Sequence, residues 1–136
     1  MKNAYQGPRI PLIEKAQRTA TVRGTLKRTN GESSAILLLD VTARASGSIS
    51  AIKIYLKSPD GRRSPDTGVD IAIYSITGLT VNAKGVYAFL IAPGVAAASG
   101  WTAAPVDGVM PCEFEAEATL AGGSDMTFSL WAQLIG

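Results

Sequence analysis

From Thr19 onward, apolar side chains recur at every second position, and no stretch keeps the three-to-four spacing of a helix for three turns. TATVRGTLKR, from Thr19, alternates and predicts a strand. SAILLLDVTARA, from Ser34, is apolar on both faces at Ile36 to Leu39, as a central strand is. SISAIKIYLKS sets Ile52, Ile54 and Leu56 on one face and Lys53, Tyr55 and Lys57 on the other. DIAIYSITGL predicts a further strand, with Ile71 and Ile73 sharing a face. GVYAFLIAP predicts another, burying either Val86, Ala88 and Leu90 or the opposite set. CEFEAEATL and MTFSLWAQLI follow, and the AGGSD between them reads as a hairpin turn. SPDGRRSPDTG and the small-residue stretch PGVAAASGWTAAPVDGVMP read as loops, and LIEKAQ holds one helical turn at most. The pattern predicts an all-β domain, a β-sandwich or jelly-roll of about seven to eight antiparallel strands.

Residues 1–18 break from that rhythm. Gly7, Pro8 and Pro11 oppose any early helix, and the residues before the prolines are pushed towards extended backbone. The chain therefore divides into an extended N-terminal arm, 1–18, and a sandwich domain, 19–136. Ile10, Leu12 and Ile13 must dock on something, either their own domain or a neighbouring subunit.

Charge sharpens this division. Residues 1–28 hold seven bases (Lys2, Arg9, Lys15, Arg18, Arg23, Lys27, Arg28) against Glu14, a balance of +6; the rest holds six bases and ten acids, a balance of −4. From Ser99 on there are five acids and no base. A basic head and an acidic tail imply that charge organises contacts between arm and body or between chains.

Composition narrows the chemistry. With 136 residues and 46% apolar content, the chain is sized for one domain with a packed core. Cys112 has no partner for an intrachain disulfide, which fits a reducing cytoplasm. There is no histidine, and so neither the commonest general base nor the commonest metal ligand. The N-terminus has no apolar core of a secretory signal, and no apolar run is long enough for a membrane helix.

Glu113, Glu115 and Glu117 are the sharpest chemical candidate. In a strand they share one face, roughly 6–7 Å apart, a spacing that glycosidase carboxylates also use. The same alternation sends Cys112, Phe114, Ala116 and Ala118 inward, so the glutamates line a solvated face or a docking face. Asp60, Asp66 and Asp70 lack the ligand order of a calcium loop. Ser64 and Ser75 have no histidine partner, and neither G-x-S-x-G nor a P-loop is present. Arg62 and Arg63 are too few, on an acidic body, for a nucleic-acid groove. Trp131 alternates with Ser129 and Gln133 and so faces away from Phe128, Leu130 and Leu134, either as an interface anchor or as cover for the sheet beneath the arm.

The run QRTATVRGTL, then SAILLLDVTARASGSISAIKIYLKSPDG, then ITGLTVNAKGVYAFLIAPG and the closing TFSLWAQLI, resembles a family of small β-sandwich virion proteins of tailed bacteriophages. The likeness spans residues 17–135 and is one of strands and turns, closest to capsid decoration (cement) proteins. It departs where the family often carries arginine in the penultimate strand and this chain has its three glutamates. The resemblance implies a non-enzymatic, cofactor-free homo-oligomer, a dimer or trimer, on the outer capsid surface of the virion, assembled in the host cytoplasm. Its partner is the major capsid protein, with no nucleic acid and no membrane. Arg9, Ile10, Pro11, Leu12, Ile13, Glu113, Glu115, Glu117 and Trp131 are the expected interface. The alternatives are a tail or head–tail connector component, or a carbohydrate-binding sandwich that stacks sugars on Trp101, Tyr55 or Tyr74.

Overall fold

The computed structural model describes residues 6–27, 34–57, 65–67, 72, 74–91, 102–103 and 113–135. The described residues contain no helix and nine strands: β1 (Gln6–Arg18), β2 (Val22–Lys27), β3 (Ser34–Ser46), β4 (Ile49–Leu56), β5 (Tyr74–Ile76), β6 (Gly85–Ile91), β7 (Thr102–Ala103), β8 (Glu113–Leu120) and β9 (Asp125–Ile135). They form two antiparallel sheets, ordered β1-β9-β3-β6 and β2-β8-β4-β5-β7. The all-β sandwich is therefore as the alternation predicts.

Alternation fills the space between the sheets. Leu37, Leu39 and Val41 of β3, Ile52 and Ile54 of β4, Phe114, Ala116 and Ala118 of β8, and Phe128, Leu130 and Leu134 of β9 are buried in one core. β3 is central in its sheet, between β9 and β6, as its two-faced apolar run predicts. On β6 the opposite of the two sets faces inward: Tyr87 and Phe89 pack against the core, and Val86 is 66% exposed.

The AGGSD hairpin does not form. β8 pairs with β2 and β4, whereas β9 pairs with β1 and β3. The turn is an arch that carries the chain from one sheet to the other. Both strands have a fully apolar inner face, and stacking across the sandwich lets each cover the other. Each strand also gains two hydrogen-bonded neighbours, which a terminal hairpin would not supply. Gly123, at φ +76°, turns the chain. The β3–β4 connection is a second arch lying against the first. The Ser124 hydroxyl donates to Ala121 O (2.6 Å) and accepts from the Ser48 N–H (3.1 Å), while the Ser46 hydroxyl donates to Gly123 O (2.8 Å).

Residues 6–18 are extended, as their prolines predict, but they do not stand off from the sandwich. They form β1, an edge strand paired antiparallel with β9. Thirteen residues of β1 face ten of β9 because the register shifts three times. One shift falls between Pro11 and Ile13, and this bulge lets two consecutive side chains, Leu12 and Ile13, turn into the core. Bulges, two prolines and exposed charge are what keep a long edge strand from pairing with another sheet. β1 also presses on β2 across the sandwich. A Cβ on Gly24 would collide with the Leu12 carbonyl, so only glycine permits this closeness. The boundary expected at residue 18 thus separates two strands of one folded unit, joined through one core.

Candidate functional site

The glutamates lie on the outer face of the second sheet, and their neighbours follow from register. On one side of β8, β2 sets Arg23 opposite Glu117, Thr25 opposite Glu115 and Lys27 opposite Glu113. On the other side, β4 sets Lys53 opposite Glu117 and Tyr55 opposite Glu115. The acidic strand is thus flanked on both sides by basic ones. Cross-strand opposite charges are a stabilising arrangement in a sheet.

Side-chain geometry closes the ladder. Arg23 Nε donates to Glu117 Oε1 at 2.9 Å, and its Nη1 lies 3.8 Å from Glu115 Oε2. Lys57 Nζ reaches Glu115 Oε1 at 3.8 Å. The Thr119 hydroxyl donates to the other Glu117 oxygen at 2.8 Å. The Arg23 guanidinium also stacks 4.1 Å over the centre of the Tyr55 ring, a cation–π contact that fixes its plane. Under this cover Glu117 is only 7% exposed and Tyr55 only 5%. Tyr55 is therefore covered and offers no platform on which a sugar ring could stack. Glu115 and Glu117 meet the chain's own bases, Arg23 and Lys57, and Glu113 lies opposite Lys27.

A general acid–base pair needs two carboxyl groups in differing environments with room for a substrate between them. Here Glu115 and Glu117 are packed against Arg23 and Lys57. Among the described residues, no group of three His, Cys, Asp or Glu is placed to hold a metal ion. Asp66 is exposed, while Asp60, Asp70, Arg62, Arg63, Ser64, Trp101 and Cys112 and the side chain of Tyr74 lie outside the described residues.

The other candidate residues collect on the outer face of the first sheet. Trp131 does point outward, and its indole N–H donates to the Ser129 hydroxyl at 3.1 Å. Register places it between Pro11 of β1 and Leu38 of β3. Arg9, Leu38, Asp40, Val86 and Trp131 line one shallow open cavity of about 210 Å³. Of the expected N-terminal contact residues, Arg9 and Pro11 are exposed and share this face. Leu12 and Ile13, at 9% and 2% exposure, belong to the chain's own core, and Ile10 packs against it, so these three do not present their side chains outward.

Sequence reading missed Arg23, Lys57 and Tyr55 as partners of the glutamates, and Leu38, Asp40 and Val86 as companions of Trp131. A strand-by-strand reading gives each side chain its face. Only the register supplies its neighbour, and Arg23 and Glu117 are 94 positions apart. No family model, curated protein or solved structure matches the chain.

Proposed function

We propose that this chain is a structural, non-enzymatic virion protein that binds the outside of a tailed-phage capsid and braces the major capsid protein lattice. The observation that carries the structural reading is the closed charge ladder. Two of the three carboxylates that most resembled a reaction centre, Glu115 and Glu117, are held by Arg23, Lys57 and Thr119, contacts that link β8 to β2 and to the residue that follows β4. The capsid as partner comes from the likeness of the strand pattern to decoration proteins.

Bracing follows from stiffness and repetition. A two-layer sandwich with a continuous core resists shear across a joint between capsid subunits. The exposed Lys15, on the β1 edge, supplies positive charge at the rim. Each contact can be weak because identical contacts around a closed shell act together. Docking is by a preformed strand edge, so no entropy of ordering an arm is lost on binding.

The test is to label the chain in purified virions and count its copies by imaging. Copies in the hundreds over the outer shell, with co-sedimentation of the purified chain and empty shells, are the expected result. A single ring of five or six copies would move the chain to the head–tail connector. Failure to co-sediment with shells would remove the capsid role.

A further inference from the structure

The face around Trp131 has an unusual symmetry. Arg9 lies opposite Gln133, two residues before the end of β9, and Asp40 lies opposite Ser129. Gln133 and Ser129 flank Trp131 on its own strand, each two residues away and on the same side of the sheet. Arg9 is therefore one strand to one side of Trp131 and one step up. Asp40 is one strand to the other side and one step down. Trp131 sits midway between a cation and an anion.

These two charges do not satisfy each other. Two strand spacings across and four residues along separate their Cα positions by roughly 17 Å. Neither makes an ion pair within the described residues. Between and beside them the surface is apolar: Trp131, Leu38, Pro11, Ala88 and Val86, the last at 66% exposure. On the outer face of the other sheet, by contrast, Arg23 and Lys57 pair with Glu115 and Glu117.

From this layout we propose that the outer face of the β1-β9-β3-β6 sheet is the interface of a two-fold dimer of this chain. A two-fold axis lying in the plane of the interface, passing over Trp131 at right angles to the Arg9–Asp40 diagonal, lays Trp131 against its copy. The same operation brings Arg9 over the partner's Asp40 and Asp40 over the partner's Arg9. Such an interface is isologous, with every contact made twice. A second copy is favoured by charge complementarity, because Arg9 and Asp40 lie on opposite sides of Trp131 and the two-fold rotation sets each against its opposite. The face measures about 20 Å by 20 Å, on the order of 400 Å² for each partner, about half the size of a standard interface. The dimer is accordingly weak and concentration-dependent. The inference is independent of the capsid reading, since it concerns the isolated protein.

Sedimentation velocity on the full chain from about 10 to about 500 μM tests it, a range that brackets a dissociation constant of about 100 μM. The expected result is a monomer moving to a dimer. Arg9→Asp and Asp40→Arg each place like charges across the axis and weaken association by about tenfold or more, and the double reversal restores it. If circular dichroism shows that Asp40→Arg has lost the fold, Asp40→Asn and Arg9→Gln replace the reversals, and each must weaken the dimer. A monomer throughout, a trimer, single variants that dimerise normally, or a double reversal no better than the singles would overturn the interface. So would a monomer that binds an oligosaccharide and loses that binding on Trp131→Ala.

Discussion

If the glutamate ladder is structural, breaking it must cost stability in a way that belongs to the pair and not to either residue. Arg23→Met keeps most of the aliphatic cover over Tyr55 and removes the charge; Glu117→Gln keeps the shape and removes the carboxylate. The two groups meet at 2.9 Å with side-chain exposures of 30% and 10%. An exposed ion pair is worth about 0.2–1 kcal/mol, and breaking a fully buried one costs about 3–5 kcal/mol. This pair lies between these limits. Thr119 still bonds Glu117 when Arg23 is lost, which softens the effect. Each single change is expected to cost about 2 kcal/mol, and the double change less than the sum by about 1–1.5 kcal/mol. Urea unfolding followed by tryptophan fluorescence reads this as a midpoint shift of about 1 M for each single variant, for a slope near 2 kcal/mol/M. The coupling should persist in about 0.5 M salt, because the pair is shielded by Tyr55 and its neighbours. A coupling below about 0.3 kcal/mol would show that the ladder is an ordinary surface pattern and would reopen a role for free carboxylates.

Two further outcomes test how β1 and the arches are held. Gly24→Ala drives a methyl group into the Leu12 carbonyl and is expected to destabilise by about 3 kcal/mol, while deleting residues 1–16 removes the burial of Leu12 and Ile13, about 3–6 kcal/mol. Thermal unfolding checks both, and a truncated chain that melts like the parent would restore the separate arm. Ser124→Ala takes the acceptor from the Ser48 N–H at the contact of the two arches and is expected to cost about 1–3 kcal/mol; a calorimetric melting temperature unchanged within error would refute that role.

Alternation alone decided which way most side chains point. Phe114, Ala116 and Ala118 are inside and Glu113, Glu115 and Glu117 outside because successive strand residues face opposite ways, a local property readable residue by residue. The same rule placed Trp131 outward and made the fold all-β. Prolines at 8 and 11 set an extended N-terminus for an equally local reason. What local rules do not contain is the identity of the neighbour. Whether AGGSD closes a hairpin or an arch depends on whether β8 and β9 find better partners elsewhere, and both do. Whether residues 6–18 reach outward or lie on β9 depends on a bulge at Leu12 and on the clearance over Gly24. The meaning of Glu115 and Glu117 turned on Arg23, Tyr55 and Lys57, brought alongside them by pairing of β8 with β2 and β4. Sequence determined the faces because the pleat has a period of two; tertiary structure decided the partners because strand register is fixed by the whole core at once.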